Sequence, residues 1–346
     1  MTISEPLVSV VIPTYNRAYI LERTIQTVLA QTYQNFEIIV VDDGSADNTS
    51  ELMEKWTDSR IKYIRYEPNR RVCVARNVGM NASQGEYIAL LDSDDQWSSQ
   101  KLEKQLYGFN RPEVGAVYCW SYFVGVFNEI KRLRTSEARG DLRENLLYKN
   151  FIGSASTIMF KREALEKDIY FDPELPFCED WDFFIKLAQH YEFEVIKEGL
   201  LYYSDDLSQE DRATAKSSMM TEGFIIFLNR YHTQLPECYK NIGTLTLEQK
   251  SVCFFSLGQV LIYHGQRSNN LQGIELGSKY LKFSYGIAPY KIRFLYHYLS
   301  SLRGGNFYIK VNNLEKSIRH QLGKLRFWRK VRKHNRLAPT SPSYKR

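Results

Sequence analysis

Acidic residues gather at three points of the chain where they could do chemistry together. The apolar run FEIIVV leads into DDGSADNT, EYIALL leads into DSDDQW, and an ED pair opens EDWDFFIKLAQH. Asp92 and Asp94 alternate as strand side chains do, so both can point the same way. Two carboxylates on one side suit a hard cation with oxygen ligands, Mg2+ or Mn2+, bridging the protein to a diphosphate. A solvated acidic turn has the same composition. The wholly apolar strand ahead of it, and the second acidic strand end at DDGS, favour the cation.

Asp43 ends its own apolar run, and a carboxylate there can accept from the imide of uracil or the amino group of guanine. The same DDGSADNT also reads as a turn with a helix cap at Ser45 or Asn48. PTYN, after the first apolar run, offers backbone groups and the Tyr15 ring for a base to rest on. Arg76, in VARN, is either a surface arginine or a contact to base or phosphates. Glu179, Asp180 and Asp182 suit a helix N-terminus through the dipole, and equally suit a general base projected into a cleft.

The elements that must position these groups read as follows. LVSVVIP is a buried strand ended by Pro13, and YILERTIQTVLAQTY is an amphipathic helix. FEIIVVDD is a second strand, SELMEKW a helix and IKYIRYE a short strand. CVARNVGMNAS is a helix closed by Gly85, and EYIALLDSDD a further strand. This alternation predicts an α/β fold with a mostly parallel central sheet covered by helices. Ligands bind at the carboxyl ends of such strands, where the acids stand.

Residues 98–215 are less regular and predict completion of a mixed sheet. KLEKQLYGF reads as a helix, VGAVYCWSYFVGVF as a strand or hairpin, and SASTIMFKREALEK as a strand followed by a helix. EDWDFFIKLAQHY reads as a helix, and FEVIKEGLLYYS ends in a strand. The expected boundaries are a catalytic domain at 1–215, a helical C-terminal region at 216–337 and a disordered tail at 338–346. TEGFIIFLNRY, EQKSVCFFSLGQVLIYHG, QGIELGSKYLKFSYG and PYKIRFLYHYLSSL read as the successive helices of that region.

At 346 residues, 43% hydrophobic and 25% charged, the chain is globular, and its 24 Tyr and 19 Phe exclude wholesale disorder. Five scattered cysteines exclude a disulfide scaffold and fit a reducing, cytoplasmic compartment. Six histidines without metal spacing argue against zinc. No apolar stretch reaches the ~18–20 residues of a membrane span, and no signal peptide is legible. Charge is uneven: 316–346 carries eleven Lys and Arg and no acid, while 1–315 has 35 basic against 40 acidic residues. Within that tail, at 316–336, Leu325, Phe327, Trp328 and Val331 lie among the cations. The mixture suits peripheral docking on an anionic membrane surface, the inner face of the plasma membrane, better than nucleic acid. A solvated helix face is the plainer reading of the same run.

In order and spacing, four segments resemble the family 2 glycosyltransferases with the GT-A fold. They are VSVVIPTYNRAYILERTIQTVLAQTYQNFEIIVVDDGSADNT, VARNVGMNASQGEYIALLDSDDQW, GSASTIMFKREAL and FCEDWDFFIKLA, together spanning roughly residues 7–205. The resemblance implies that Pro13, Thr14, Tyr15, Asn16, Asp43 and Arg76 hold the nucleotide of a diphosphate sugar, with Asp92 and Ser93 near the ribose. It implies that Asp94 holds the divalent cation and that Asp180 is the catalytic base. Gly153, Ser154, Glu179 and Trp181 fall on the acceptor side, and Asp182 reads as structural. The implied reaction is an inverting transfer, with a UDP-sugar the expected donor. The acceptor hydroxyl belongs to a glycan, a lipid-linked sugar or a protein, in polysaccharide or glycolipid assembly.

Two departures stand out: Ser98-Ser99 replaces a frequent Pro, and YYSDDLSQED replaces a basic or His-containing loop that would contact the diphosphate. Two further classes lack their signatures. A sugar nucleotidyltransferase needs a Gly-rich basic loop after the first strand, and a dinucleotide oxidoreductase needs GxGxxG there, whereas this chain has PTYNRAY. A catalytically silent scaffold acting through the helical region is the remaining alternative, and intact Asp92, Asp94 and Asp180 argue against it.

Overall fold

The computed structural model describes residues 5–125, 129–205, 217–231 and 247–287. Chain order begins β1 (Val8–Thr14), α1 (Ala18–Leu29), β2 (Phe36–Asp42), α2 (Thr49–Met53), β3 (Ile61–Arg65), α3 (Val72–Ala82), β4 (Tyr87–Leu90). Every residue of β1 and β2 is buried, as continuous β-branched runs in a sheet covered on both faces should be. The four strands run parallel in the order β3-β2-β1-β4. Thr14 pairs with Asp42 and Val11 with Leu90, which brings three strand ends to one edge of the sheet.

β5 (Gln96–Trp97), α4 (Lys101–Tyr107), β6 (Val114–Val124), β7 (Ile130–Arg134), α5 (Arg143–Tyr148), β8 (Ile158–Lys161), α6 (Glu179–Ala188) and β9 (Glu192–Ser204) complete it. The sheet continues β4-β8-β6-β9-β5, with β8 antiparallel to both neighbours, β9 parallel to β6, and β7 hydrogen-bonded to β6. The expected mixed sheet is present. One core packs α3, α5 and α6 on one face, and another packs α1 and α4 on the other.

Of the helical region, α7 (Ser217–Tyr231), α8 (Leu247–Arg267) and α9 (Leu271–Ile287) are described. α7 is tied to α6 by Asp182, a fully buried carboxylate that takes Arg230 Nη1 at 2.9 Å and the Tyr231 hydroxyl at 2.7 Å. Arg230 also reaches Asp172 at 2.6 Å, and the Phe227 ring lies 4.5 Å from Trp181. Asp182, expected to be structural or to support the site from behind it, thus joins α6 to α7. α8 and α9 meet at Gly258 and Gly277, where a Cβ on either would stand 2.8–2.9 Å from the other's carbonyl oxygen. The boundary at 215/216, the helix PYKIRFLYHYLSSL, the basic stretch 316–336 and the tail 338–346 lie outside the described residues. Among the described residues no helix is long and apolar enough to cross a membrane.

Several local expectations are corrected. Pro13 does not end β1. It pairs with Val41, past the last β1–β4 partner at Val11, where its missing N–H removes no ladder bond to β4. β4 stops at Leu90, and DSDD forms a turn closed by Asp95 N–H donating to Asp92 O at 3.0 Å. Gly85 does not close α3; it enters β4 where a Cβ would sit 2.6 Å from Leu7 O. REALEK is a 3-10 turn rather than an α-helix. Asn48 does stand at the N-cap of α2, but without a side-chain cap bond; the neighbouring Asp47 accepts Thr49 N–H at 3.1 Å.

Candidate active site

The loops after β1 and β2 are fastened to one another. Asn16, in a left-handed conformation (φ 52), donates its N–H to Ser45 Oγ at 2.9 Å and accepts Ala46 N–H at 2.8 Å. Asp47 Oδ2 accepts Ala18 N–H at 3.0 Å from the start of α1. Asn16 is thus placed as the joint between the two loops. Beside it, the Tyr15 ring is 46% exposed. Asp43 is buried; its N–H donates to Thr14 O at 2.9 Å, and its Oδ1 accepts Arg70 N–H at 2.7 Å. Thr14 is buried with its hydroxyl unpartnered. Asp42 turns beneath, accepting Ser45 N–H at 2.8 Å and the Tyr63 hydroxyl at 2.6 Å.

The DSDD turn sits between α1 and the loop before β8. Thr24 Oγ1 donates to Ser93 O and Asp95 O at 2.8 and 2.9 Å, and Asp92 N–H donates to Ser156 Oγ at 3.0 Å. Asp92 and Asp94 stay partly open, while Ser93 and Asp95 are buried. The alternation of exposure expected along DSDD is therefore present, delivered by a turn rather than by strand alternation. Burial, with the charges of Asp94 and Asp92 adding to it, pushes the Asp95 carboxyl well above the usual range. Asp95 Oδ1 accepts Ser204 N–H at 3.0 Å, which ties the turn to the end of β9.

Among the described residues no cluster of three or more His, Cys, Asp or Glu is arranged to enclose a metal ion. A cation that bridges to a nucleotide needs less. Mg2+ takes one or two carboxylates and fills its remaining positions from phosphate and water. Asp92 and Asp94 offer that number of hard oxygen donors, and the crowding that raises Asp95 is the electrostatic setting a cation relieves. The residues present fit a divalent ion.

α6 starts from Cys178, whose φ of 67 turns the chain so that Glu179 and Asp180 stand at its first turn. Asp180 Oδ2 accepts Ala155 N–H at 3.1 Å, and its Oδ1 accepts Arg76 Nη1 at 2.9 Å. The same Nη1 reaches Glu179 at 3.2 Å, and Nη2 donates to Asp92 at 2.7 Å. Arg76 is buried, with its guanidinium 4.9 Å from the centre of the Phe171 ring. One cation therefore joins the acidic turn after β4 to the ED pair on α6. The three carboxylates around it hold Arg76 charged against its burial. Burial pushes the Asp180 carboxyl up to about 8; Arg76 and the Ala155 N–H oppose this, and the Glu179 and Asp92 charges add to it.

Not every expected residue lies where the sequence suggested. Arg76, expected at the base or phosphates, is enclosed by Asp92, Glu179 and Asp180. Trp181, expected on the acceptor side, is buried and donates Nε1–H to Leu146 O at 2.5 Å, holding α6 against α5. Gly153 and Ser154 do lie beside the ED pair, two residues and one residue before the Ala155 N–H that holds Asp180. Sequence reasoning passed over Asp95 and Ala155. The burial of Asp95 was hinted at by its place one step out of phase with Asp92 and Asp94, whereas a backbone N–H leaves no signal.

The family model described as Glycosyl transferase family 2 matches residues 9–169. A glycosyltransferase of Methanocaldococcus jannaschii with no assigned role, MJ1057, is 32% identical over 206 residues, covering 58% of this chain and 71% of that protein. TuaG of Bacillus subtilis, a glycosyltransferase named for teichuronic acid biosynthesis, is 44% identical over 108 residues. That match covers 31% of this chain and only 43% of TuaG. In structure, S. aureus TarS 1–349 solved with UDP-GlcNAc superimposes with a TM-score of 0.53 at 18% identity, covering 81% of this chain and 92% of that one. The chain belongs to glycosyl transferase family 2 and has the GT-A fold.

Proposed function

We propose that the protein transfers a sugar from a nucleotide-diphosphate sugar, a UDP-sugar, to an acceptor hydroxyl in the assembly of a cell-surface polysaccharide or glycolipid. The observation that carries this reading is the single guanidinium of Arg76 shared by Asp92 on the donor side and by Asp180 and Glu179 on the acceptor side. Residues 1–215 form the catalytic unit in this reading, with the helices beyond it buttressing α6 through Asp182.

Each group then has a task. Tyr15 and Asp43 receive the base, with Pro13, Thr14 and Asn16 shaping the loop around it. Asp92 and Ser93 face the ribose, and Asp94, with Asp92 beside it, would hold Mg2+ or Mn2+. The ion, when bound, supplies neutralisation of the charge that develops on the leaving diphosphate. Asp180 takes the proton of the acceptor hydroxyl as its oxygen attacks the anomeric carbon from the face opposite the diphosphate. The Ala155 N–H and Arg76 hold the carboxylate in place, and Gly153, Ser154 and Glu179 line the acceptor side. Arg76 is reassigned from contacting the nucleotide to orienting the base.

One displacement inverts the anomeric centre, whereas a double displacement needs a second nucleophile. NMR of the product formed from an α-linked UDP-sugar, with Mn2+ and an accepted glycan, is expected to show a β-linkage. An α-linked product would overturn the single-displacement mechanism.

A further inference from the structure

The outer strand of the β6–β7 pair reads IKRLR, and its last residue is Arg134. Arg134 stands opposite Ser121, and Arg132 opposite Phe123. Alternation sends both arginines to one face, yet their settings differ. Arg132 is exposed and lies over the Phe123 ring at 3.5 Å. Arg134 is half-buried, and burial together with the neighbouring Arg132 charge presses its pKa down. Its Nη2 donates to Asn150 O at 2.6 Å, and among the described residues no Asp or Glu pairs with it. Arg76 and Arg230, by contrast, are each held by two or more carboxylates.

The loop 150–154 is built around this guanidinium. Asn150 Oδ1 accepts Ile152 N–H at 3.1 Å and Gly153 N–H at 2.9 Å, and its Nδ2 donates to Gly153 O at 2.8 Å. Gly153 has φ 117, a conformation that favours glycine, and a Cβ there would be in ordinary contact with Arg134 Cζ and Nη1 at 3.5 Å, so the guanidinium lies against this turn of backbone. Ser154 follows, its hydroxyl buried and unpartnered. Ala155 comes next and gives its N–H to Asp180. A half-buried cation lying against Gly153 and an unsatisfied hydroxyl at Ser154 thus stand just ahead of the backbone group that holds the proposed base. Each is costly alone, and a bound anion satisfies both.

We propose that Arg134 and the Ser154 hydroxyl form a subsite for an anionic group, a carboxylate or a phosphate, carried by one of the two substrates. The proposal rests on the donor–acceptor reading above and assigns a charge to a substrate which that reading leaves open. Two sources present the same chemistry: an acidic sugar on the donor, or a phosphate or diphosphate on the acceptor.

The test is calorimetric titration of the full chain and of its Arg134→Gln and Arg134→Lys variants. The donor arm compares UDP-glucuronate with UDP-glucose, each with Mn2+. The acceptor arm compares N-acetylglucosamine diphosphate bearing a short alkyl chain with the alkyl glycoside of the same sugar. In one arm the wild type is expected to favour the anionic member by at least about tenfold, as a charge-assisted hydrogen bond affords. Arg134→Gln should erase that preference and Arg134→Lys retain part of it, with UDP affinity equal in all three proteins. The arm that responds identifies the source. Absence of an anionic preference in both arms, or a preference that survives in Arg134→Gln, overturns the subsite. Failure of UDP itself to bind would instead count against the donor reading, and the acceptor arm would still decide the subsite.

Discussion

Asp180→Asn is expected to lower kcat by on the order of 10²–10⁴-fold, the usual contribution of a positioned general base, while nucleotide binding stays intact. The substitution keeps the shape of the side chain and an oxygen for Arg76 Nη1, so the join with Asp92 and Glu179 survives. What it removes is proton acceptance, together with the acceptor for the Ala155 N–H. The wild type should also carry a pH signature. With its carboxyl pushed up to about 8, Asp180 gives up its proton at higher pH than an ordinary carboxyl, and its basic form grows as pH rises. The kcat/KM of the wild type is therefore expected to climb with pH and level off above about 8, since kcat/KM reports groups of the free enzyme. The residual rate of Asp180→Asn should lack that limb. Near-normal turnover in Asp180→Asn, measured by release of the nucleotide, would remove Asp180 from the role.

Arg76→Met is expected to have the largest effect on stability. It deletes the one cation shared by Asp92, Glu179 and Asp180 and leaves three carboxylates facing one another. Removing one partner of a buried ion pair costs about 3–5 kcal/mol. These carboxylates are 17–25% exposed, so the low end of that range applies. The midpoint of urea unfolding should fall accordingly. Activity should fall further than the folded fraction, because the group that opposes the upward push on Asp180 is gone and its proton is held to higher pH. Arg76→Lys keeps the charge but not the fork that spans three acceptors, and should lie between the two. An Arg76→Met protein with wild-type unfolding and an unshifted pH profile would contradict the assignment.

The arrangement of the first half was legible because its signals are local. Continuous β-branched runs marked β1 and β2 as buried strands, and helical spacing marked α1. The acidic turn was found for a partly mistaken reason: a two-residue period in exposure is present at Asp92–Asp95, but the backbone that produces it is a turn. The carboxylate contacts of Arg76 were not legible because its orientation depends on Asp180, 104 residues away, and nothing in VARN states which way that side chain faces. The burial of Trp181 was hidden similarly. Its position beside Asp180 suggested the cleft, but the next residue along a helix points about a quarter-turn away, here toward Leu146 and Phe227. The Gly153 conformation and the Arg134 guanidinium beside it belong to a loop and an edge strand with weak periodicity, and their meeting emerges only once the chain is folded.

The central claim is that the edge formed by β1, β2 and β4 receives a nucleotide-diphosphate sugar through a divalent ion held at Asp94. The direct measurement is thermal unfolding of the wild type and of Asp94→Ala with UDP-, GDP- and dTDP-sugars, each with and without Mn2+. Ligand that binds only the folded state raises the unfolding temperature. One nucleotide sugar should stabilise the wild type in the presence of Mn2+, and that stabilisation should vanish without Mn2+ and in Asp94→Ala. No stabilisation by any nucleotide sugar, or equal stabilisation of Asp94→Ala, would contradict it.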